Sequence, residues 1–392
     1  MQTVLLTGAA SGIGRQAALQ FAAAGWRVLA VDRDGDGLAA LTTALTPDSV
    51  QSFVVDLADP AQIERLRDIE FTIHAVVNNA GMSDASGTPL VDQPPLQIDR
   101  LLALNLYAPA RIFEAVRHKL AAGARVVNVS SGAGLKAIPF RGAYSPSKAG
   151  LIAQTAALEK AEPQLAVTCL CPGFVRTELV ENLIAAGRLD PVQAVSKIPL
   201  GRMASPAEMA RAMLFLASSD AAPLSGQTFV YDGGSSIYGG SAHFALSERE
   251  VTSPEAGTRY TLVGAPEGWA SALPGGSGTY PALIDFSPLE APAGELTKAV
   301  WQAATRFAEH HRFDASLTLV LPAESAEAGN WAMAGDVAAA EMLVRTLACE
   351  FGASGRRINA LRMDGTVQDR AALLAFIAGV EAQFLTGQIL AA

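Results

Sequence analysis

Residues 4–32 read VLLTGAASGIGRQAALQFAAAGWRVLAVD, and this stretch decides the fold. A short apolar run, VLLT, leads into a glycine-rich turn, and a helix-forming segment follows that ends at Gly25. A second apolar run then ends at Asp32. This order of strand, tight turn, helix and strand predicts a βαβ unit whose two strands run parallel in one sheet.

The same alternation continues to about residue 234. Apolar runs such as SFVVD, HAVVNNAG, RVVNVSS and AVTCLCPG alternate with helical segments, and SGQTFVYDGG closes the series. We therefore expect an α/β fold with a Rossmann-like, doubly wound parallel sheet that carries helices on both faces.

The chain has 392 residues, which is more than a single core usually holds. Residues 235–258 are rich in Gly, Ser and charged side chains, which is typical of a linker. We expect a first domain over residues 1–240, a linker over 241–258 and a second, smaller α/β domain over 259–392. The second domain resembles a truncated Rossmann unit.

The composition excludes several classes of protein. Half of the residues are hydrophobic and the net charge is −9, without any cluster of Lys or Arg, so we expect no nucleic-acid partner. No apolar run reaches membrane-spanning length and no signal peptide precedes the first strand, so we expect no membrane partner. Cys169, Cys171 and Cys349 lack metal-ligand spacing, which favours a reducing cytoplasm and predicts no metal site.

The glycine-rich turn, residues 7–14, predicts a nucleotide site. Its glycines let the backbone approach a pyrophosphate at the helix N-terminus. Asp32 ends the second strand, where a carboxylate can accept hydrogen bonds from both hydroxyls of an adenosine ribose and repel a 2′-phosphate. This favours NAD over NADP, although Arg15 or Arg33 could meet a phosphate. The alternative is a glycine turn that only packs helix against strand.

Ser131, Tyr144 and Lys148 form a reactive set. Tyr144 and Lys148 are four residues apart at the start of a predicted helix, so they share one face. Ionising a free tyrosine at neutral pH costs ~4 kcal/mol, and a nearby ammonium and the positive helix N-terminus lower that cost. Ser131 follows a strand, where its hydroxyl could hold a substrate oxygen. Each residue alone also fits a plain role: a core tyrosine, a surface lysine or a capping serine.

Together these residues resemble the short-chain dehydrogenase/reductase family over about residues 1–234. The motifs that carry the resemblance are TGAASGIG, Asp56 after the third strand, Asn78-Asn79-Ala80-Gly81, Asn105, the set Ser131, Tyr144 and Lys148, and Pro172-Gly173 with Thr177. The resemblance implies an NAD(H)-dependent oxidoreductase that interconverts a secondary alcohol and a ketone. An NADPH-dependent 3-oxoacyl reductase and a non-catalytic nucleotide-binding scaffold are the alternatives.

The resemblance also implies roles for individual residues. Tyr144 is the general acid/base, Ser131 binds the substrate oxygen, and Lys148 holds the nicotinamide ribose and lowers the pKa of Tyr144. The implied cofactor contacts are Gly8, Ser11, Gly12, Ile13, Gly14, Asp32, Arg33, Asp56, Leu57, Asn79, Ala80, Gly81, Tyr144, Lys148, Pro172, Gly173, Val175 and Thr177. Asp56 would meet the adenine, and Thr177 would touch the nicotinamide end.

Asn105 and Pro109 make one further point. Proline has no N–H, so the Asn105 carbonyl, four residues earlier in a predicted long helix over about 99–120, loses its helical partner. In the family this carbonyl holds a water that relays protons to the lysine, which would place Asn105 in the catalytic set. An ordinary proline kink explains the pair equally well.

Segment 174–205 resembles the family's mobile substrate lid, and its Leu, Val and Ile residues suggest an apolar wall. Arg176 or Lys197 could meet an anionic group, but a solvated surface position explains each of them as well.

The second domain repeats parts of the first. AGDVAAAEMLVRTLACEFG, residues 334–352, parallels AYSPSKAGLIAQTAALEKA, residues 143–161, with Thr346 on Thr155 and Glu350 on Glu159 at an offset of 191. At this offset Tyr144 falls on Gly335 and Lys148 on Ala339, so the reactive groups are lost. RINALRMDG parallels LAVTCLCPG, which places Gly365 on Gly173, and LTGQILAA parallels LSGQTFVY. The pattern predicts a partial repeat without lid, catalytic set or the two strands that carry Asp32 and Asp56.

We expect this stripped repeat to serve as an interface. In the family, the helices on either side of the serine-bearing strand pack against their equivalents in a second subunit, and the repeat keeps both, at 294–311 and 336–351. The apolar stripe with Met342, Leu343 and Leu347 would be buried there, within the chain or across a homo-oligomer (a dimer or a tetramer). The alternative is a degenerate appendage without a role.

Overall fold

The structure is a computed structural model that describes residues 1–84, 86–88, 92–136, 138, 140–187, 189–240, 243–274, 276–292, 295–323, 331–363 and 367–391. Its internal contacts divide the chain into two units. The first comprises Met1–Glu181 and Ser205–Phe229, and the second comprises Asn182–Ala204 and Val230–Ala392. Segment 182–204 thus groups with the second unit, and the predicted linker, 241–258, lies wholly inside that unit.

The first unit is built on a seven-stranded parallel sheet, as the sequence predicts. Its strands are β1 (Thr3–Thr7), β2 (Arg27–Asp32), β3 (Val50–Val54), β4 (Ile73–Asn78), β5 (Leu120–Val129), β6 (Ala166–Pro172) and β7 (Thr228–Tyr231). They lie in the order β3-β2-β1-β4-β5-β6-β7. The order reverses between β1 and β4, and in such sheets a ligand crevice opens at this point, outside the carboxyl ends of the strands.

Helices cover this sheet and bury its apolar strands. They are α1 (Gly12–Ala23), α2 (Gly35–Ala44), α3 (Pro60–Ile63), α4 (Pro95–Leu102), α5 (Ala108–Val116), α6 (Tyr144–Ala161) and α9, which spans Pro206–Leu216. The connection between β6 and β7 also forms α7 (Glu178–Ala185) and α8 (Pro191–Val195). All five side chains of β1 are buried, which explains why this strand has no polar alternation. Helix α9 packs on α1, where Gln20 Nε2 donates to the Ala207 carbonyl at 3.1 Å.

The predicted long helix over 99–120 is interrupted. Between α4 and α5, residues Ala103–Tyr107 form a π-helical turn in which the Ala108 N–H donates to the Ala103 carbonyl, five residues back. Pro109 follows directly and has no N–H to continue the α-helical pattern. The helix is therefore locally widened just before Pro109, and α5 already ends at Val116.

The second unit contains a smaller, five-stranded parallel sheet. Its strands are β8 (Thr258–Val263), β9 (Tyr280–Asp285), β10 (Ser316–Pro322), β11 (Arg357–Met363) and β12 (Ile389–Ala391), and its helices are α10 (Trp269–Ala272), α11 (Leu296–His310), α12 (Trp331–Phe351) and α13 (Val367–Ala378). The strands follow the strictly sequential order β12-β11-β10-β9-β8. The order never reverses, so the described part of this sheet has no topological switch point.

The helices of the second unit lie on both faces of its sheet. Leu317 and Leu319 of β10 belong to the apolar cluster formed with α11 and α12. Side chains alternate along a strand, so Ser316 points to the other face, where its hydroxyl bonds the Ala378 carbonyl at the end of α13.

The buried guanidinium of Arg357 holds this second face together. It donates to backbone carbonyls around the end of α13, including Ala382 at 2.9 Å and Gly379 at 2.8 Å, and to the Tyr280 hydroxyl at 3.1 Å. An arginine is well placed there because the carbonyls at a helix C-terminus carry partial negative charge.

The burial pattern corrects the predicted register of the repeat. Thr155 is buried in α6, whereas Thr346 is exposed in α12, where Ala340, Val344 and Ala348 form the buried face. An α-helix turns by about 100° per residue, so the offset of 191 places the two helices with nearly opposite faces inward. Shifting the register by two residues in either direction aligns the faces. The match of Gly365 with Gly173 falls on a residue outside the described ranges.

Cys169 and Cys171 are buried and Cys349 is half-buried, and all three are free thiols. In the described residues, no helix combines the length and apolar character needed to cross a membrane.

Candidate active site

The glycine-rich turn joins β1 to α1 with no room for side chains at two positions. A Cβ on Gly14 would lie 1.9 Å from the Gly8 carbonyl oxygen, and Gly8 itself has a φ of +70°. Ser11 precedes α1 in an extended conformation, and its hydroxyl makes no capping bond. The first N–H groups of this helix, from Gly12 and Ile13 onward, are therefore the donors to which a phosphate can bind.

Asp32 at the end of β2 faces this turn. One carboxylate oxygen accepts from Ala10 N at 3.0 Å and the other from Asp34 N at 3.1 Å, which fixes the carboxylate beside the turn. Each oxygen retains a free lone pair, so both can still accept from ribose hydroxyls. Arg33, next in the chain, is exposed.

The segment after β4 lies beside the same turn. Thr7 Oγ1 accepts from Asn79 N and Ala80 N, both at 3.0 Å, and Asn79 Nδ2 donates to the Thr7 carbonyl at 3.0 Å. A Cβ on Gly81 would be 3.3 Å from both Asn105 Oδ1 and Lys148 Nζ. Asn79, Ala80 and Gly81 thus connect the nucleotide turn to the reactive set.

The loop after β5 brings Ser131 to Tyr144. Ser131 begins a short 3-10 turn, and its Oγ accepts from Ala133 N at 3.1 Å. Gly134 packs so closely on α6 that a Cβ there would lie 2.9 Å from the Lys148 carbonyl carbon and oxygen. The Ser131 hydroxyl lies close enough to the Tyr144 phenol to lower its pKa, and the Lys148 ammonium lies 6.0 Å from the centre of the Tyr144 ring. The structure therefore brings the predicted triad together.

Burial shifts the pKa values of both Tyr144 and Lys148. Burial raises the pKa of Tyr144 above its ordinary value, and the opposing effects come from the nearby Ser131 hydroxyl and the charge of Arg141. Burial also lowers the pKa of Lys148 to about 8, because a charged ammonium is costly in the interior. The lowering of the Tyr144 pKa that was expected from Lys148 is therefore outweighed by burial in this structure. Arg141 is a further cation near Tyr144, and the sequence analysis did not identify it.

Lys148 and Asn105 are both fixed by specific partners. Lys148 Nζ donates to the Val129 carbonyl at 2.8 Å, and the Ser130 hydroxyl donates to the Lys148 carbonyl at 2.8 Å. Asn105 bonds both backbone groups of Met82, and its Nδ2 donates to Ser147 Oγ at 3.1 Å. The side chain of Asn105 thus ties the π-helical turn to α6 and to the segment after β4.

The end of β6 closes the site on the opposite side from Asn79. A Cβ on Gly132 would lie 3.8 Å from the Pro172 carbonyl, and a Cβ on Gly12 would lie 3.7 Å from Thr177 Cγ2. Residues 172–177, which contain Gly173 and Val175, therefore lie between the serine loop and the nucleotide turn. The Val175 side chain is buried, so its backbone is the part that can contact a ligand.

At the far end of the site, Asp56 is held by Arg100. Asp56 accepts from Arg100 at 3.3 Å and from Ala58 N at 3.0 Å. The Leu57 side chain belongs to the apolar core, so this predicted contact is open only to its backbone.

A buried polar cluster near Tyr144 escaped the sequence analysis. The Asp84 carboxylate accepts from Ser86, Gln93 and Gln97, and Arg141 Nη1 donates to the Asp84 carbonyl at 3.3 Å. Burial opposes ionisation of Asp84, but these hydrogen bonds hold its pKa below the ordinary value. The cluster braces the loop before α6, and no short motif marks it because its members come from separate turns.

Comparison with known proteins agrees with this geometry. A family model described as Enoyl-(Acyl carrier protein) reductase matches residues 8–236, more than half of the chain. The chain therefore belongs to this family of short-chain dehydrogenase/reductase oxidoreductases. The model ends at residue 236, so most of the second unit lies beyond it.

Individual relatives cover the same part of the chain. An uncharacterized short-chain type dehydrogenase/reductase, y4vI, from Sinorhizobium fredii is 39% identical over 59% of this chain, and the match spans only 43% of that protein. The 3-oxoacyl-[acyl-carrier-protein] reductase FabG of Thermotoga maritima is 35% identical over 59% of this chain and 96% of its own length.

Among solved structures, a putative NAD(P) dependent gluconate 5-dehydrogenase from Beutenbergia cavernae with bound NADP matches with a TM-score of 0.54. It is 29% identical over 59% of this chain and covers 96% of its own length.

The buried Lys148 predicts an unusual pH dependence of stability. Below pH ~8 the folded protein must bury an ammonium, whereas between about pH 8 and 10.5 the folded state loses this proton before the unfolded state does. The free energy of unfolding should therefore rise through that window. Lys148→Met should be more stable than the parent at pH 7, by about 1–3 kcal/mol, and should lack the rise.

Urea unfolding at pH 7, 8, 9 and 10 measures this effect. Lys160→Met, at an exposed position of the same helix, is the matched control and should follow the parent protein. A flat profile for the parent, or a Lys148→Met protein that is less stable at pH 7, would contradict the prediction.

Proposed function

We propose that the first unit is an NAD(H)-dependent dehydrogenase that interconverts a secondary alcohol and a ketone. The observation that carries the proposal is the buried Lys148 ammonium 6.0 Å from the centre of the Tyr144 ring, with the Ser131 hydroxyl beside the phenol. A protein that only binds nucleotides has no need to bury an ammonium and a phenol side by side, because burying them costs stability. This argues against the scaffold alternative.

The residues fit a dinucleotide on structural grounds. The close contact between Gly8 and Gly14 and the helix N-terminus at Gly12 suit a pyrophosphate. The Asp32 carboxylate suits a ribose. Asn79, Gly81 and Thr177 continue the same path toward Lys148. A bound nicotinamide would supply the hydride acceptor or donor.

The protein's own residues would manage the proton. In oxidation, the alcohol C–H leaves as hydride while the alcohol O–H proton passes to Tyr144, which must be deprotonated beforehand. Ser131 would donate a hydrogen bond to the substrate oxygen, and Lys148 would offset the phenolate charge. In the reverse direction, Tyr144 would donate its proton to the ketone oxygen. Lys148, with its pKa of about 8, is largely protonated at neutral pH and can play this role.

Replacing Tyr144 by Phe tests the catalytic proposal. The variant should lose turnover by about 10²–10⁴-fold, because the proton donor is gone, while NADH affinity stays within about twofold. Turnover of alcohols and ketones and calorimetric NADH binding are the two measurements. Tyr107→Phe, at an exposed position, is the control and should retain full turnover. Full activity in Tyr144→Phe, or no turnover by the parent with any substrate, would overturn the proposal.

We further propose NAD rather than NADP as the cofactor. Asp32 supports this choice, since its carboxylate stands where a 2′-phosphate would bring two negative charges. NADP use is the alternative, favoured by the exposed Arg33 and by the NADP held in the related Beutenbergia cavernae protein. NADPH specificity would also point toward the 3-oxoacyl reductase reading, since a FabG protein is among the relatives.

Calorimetric titration with NADH and then NADPH separates these cofactors. We expect one NADH site per chain, NADPH binding at least about tenfold weaker, and a gain in NADPH affinity in Asp32→Ser. Two sites per chain would contradict a cofactor-free second unit, and tighter NADPH binding by the parent would contradict the role of Asp32.

The proposed substrate carries an apolar group beside its carbonyl. Leu135, Ile138, Phe140 and Phe174 are each between 41% and 58% exposed. They lie within a few residues of Ser131, Tyr144 or Pro172 in the chain. Large exposed apolar side chains around reactive hydroxyls favour a ketone with a hydrophobic substituent.

We propose that the second unit is a degenerate partial repeat of the first. Removing β2 and β3 from the first sheet leaves five strands in the order of the second sheet. In the first unit the last helix, α9, lies on the opposite face of the sheet from α6, the helix of the preceding crossover. In the second unit α13 lies on the opposite face from α12 in the same way. In both units the last crossover connection therefore has the opposite hand to the one before it. In both corrected registers the positions of Tyr144 and Lys148 carry neither Tyr nor Lys.

We also propose that α11 and α12 form an interface between two copies of the chain. Trp301 of α11 and Met342 of α12 are 55% and 56% exposed on two helices that pack together. Leu343 and Leu347 already pack partly against the apolar core, so the stripe available to a partner is narrower than the sequence suggested.

Trp301→Glu with Met342→Glu should reduce the mass measured by sedimentation velocity to that of a monomer, because two charges would be buried in the interface. Val251→Glu, at an exposed apolar position of the same unit, is the control. An unchanged mass of the double variant, or a monomeric parent protein, would leave the second unit without this role.

A further inference from the structure

The carboxylate of Asp84 is buried in the first unit and is held by neutral donors. Asp84 is only 4% exposed. Its carboxylate oxygens accept from Ser86 N and Ser86 Oγ, both at 2.8 Å, from Gln97 Nε2 at 2.9 Å and from Gln93 Nε2. Burial opposes ionisation, but these hydrogen bonds hold the pKa of Asp84 below its ordinary value. A charged group that is enclosed by donors in this way fixes the position of the segment that carries it.

The loop before α6 packs on this fixed point. Arg141 Nη1 donates to the Asp84 carbonyl at 3.3 Å. Gly142 has a φ of +55°, and a Cβ there would lie 2.6 Å from Gln93 Oε1 and 3.2 Å from the Asp84 Cβ. The backbone of Gly142 therefore contacts Asp84 and Gln93 directly, and the side chain of Arg141 is held from the same side.

This loop is continuous with the reactive tyrosine. Tyr144 is the first residue of α6, and its N–H donates to the Arg141 carbonyl at 3.1 Å. Two residues before Asp84, Met82 bonds the side chain of Asn105 through both its N–H, at 2.9 Å, and its carbonyl, at 2.8 Å. Asp84 thus lies in a segment that is joined to the π-helical turn at one end and to the start of α6 at the other.

Arg141 brings a positive charge to the Tyr144 phenol. In the described part of the chain its guanidinium has no carboxylate partner, because Asp84 offers it a backbone carbonyl and binds other donors with its carboxylate. A guanidinium stays charged at every pH at which an enzyme works. Burial raises the pKa of Tyr144, and the charge of Arg141 acts in the opposite direction.

Two other titratable groups of the described structure lie beside the phenol. They are the Lys148 ammonium, 6.0 Å from the centre of the ring, and the Cys171 thiol. A hydrogen bond with Cys169 and burial raise the pKa of Cys171, so this thiol is uncharged at neutral pH. Lys148, with a pKa of about 8, loses its charge in the alkaline range. Of the two cations, Arg141 is therefore the one whose charge persists above pH ~8.

We propose that Arg141 is a positioning residue whose guanidinium favours the ionised form of Tyr144, and that Asp84 holds this guanidinium in place. The inference rests on the proposed dehydrogenase function and adds a second cation to its proton transfer. In alcohol oxidation, Arg141 would stabilise the phenolate that accepts the proton. Asp84 would act only through the loop. Cofactor binding at the glycine turn would be independent of both residues.

Arg141→Gln tests the role of the charge, because it keeps a hydrogen-bond donor and removes the cation. The pH of half-maximal kcat for alcohol oxidation should rise by about 0.5–1, since Tyr144 would lose its proton less readily. Turnover on the acid side should therefore fall about three- to tenfold, whereas the alkaline plateau and the Kd for NADH should stay within about twofold. Arg141→Lys should restore the parent profile. Arg65→Gln, at an exposed position of the same unit, is the matched control.

Asp84→Asn tests the role of the brace. The amide N–H groups would face the donors that the carboxylate now accepts from, so the loop would lose its fixed point. We expect a rise in the same direction as in Arg141→Gln, and little further change when both substitutions are combined, because Asp84 acts through Arg141. Asp99→Asn, at an exposed position, is the control. If Asp84→Asn fails to bind NADH, Gln97→Leu, which removes a single donor, should show the same rise more weakly.

Three results would overturn the proposal. They are an unchanged pH profile in Arg141→Gln, the same loss in Arg141→Lys as in Arg141→Gln, and a folded Asp84→Asn protein with the parent profile. A higher KM without a shifted profile in Arg141→Gln would also overturn it, in favour of a contact with the substrate. Absence of turnover in the parent would instead overturn the dehydrogenase function. Ultraviolet difference titration against Tyr144→Phe would then still measure the pKa of the phenol, which should rise in Arg141→Gln.

Discussion

The contact between Gly14 and the Gly8 carbonyl is the constraint on which the first unit depends. A Cβ on Gly14 would lie only 1.9 Å from that oxygen, so no other residue allows α1 to approach the end of β1 so closely. Because α1 lies there, α9 can pack on it, Thr177 can reach Gly12, and Asn79 can bond the end of β1. The crevice at the reversal of strand order is therefore shaped by a missing side chain.

A buried positive charge lies at the proposed reactive end of this crevice. Lys148 is buried, and its ammonium donates to the Val129 carbonyl. The pKa of Lys148 is lowered because burying the charged ammonium costs free energy, whereas a neutral side chain would be easier to bury. Buried charge thus lies at the proposed reactive end of the crevice, as in the common trade between stability and activity.

The second unit is built on a different strand order. Its strands follow a sequential order, so its described sheet has no reversal at which a crevice could form. Its interior is nevertheless well built, with Arg357 bonding the carbonyls at the end of α13 and a continuous apolar cluster against α11 and α12. Selection for packing alone would preserve these features, and the tight contact of Gly352 with Pro199 is of the same kind.

Local patterns in the sequence were sufficient for the fold class and for naming the residues that the structure brings together around Tyr144. The glycine turn, the alternating apolar runs and the spacing of Tyr144 and Lys148 each act over a few residues, and short-range rules describe them. The second, smaller parallel sheet also followed from its apolar runs. The effect of Pro109 on the helix was visible because a missing N–H acts on the carbonyl four residues away.

Other features depend on residues far apart in the chain, and only the tertiary structure decided them. Arg141 and the Asp84 cluster reach Tyr144 through turns that carry no motif, and the grouping of segment 182–204 with the second unit follows from contacts across more than a hundred residues. The predicted offset of 191 does not align the buried faces of α6 and α12, because only burial against the sheet selects the inward face of an Ala-rich helix. Sequence determines what each segment can form, whereas packing determines which side of it faces the core.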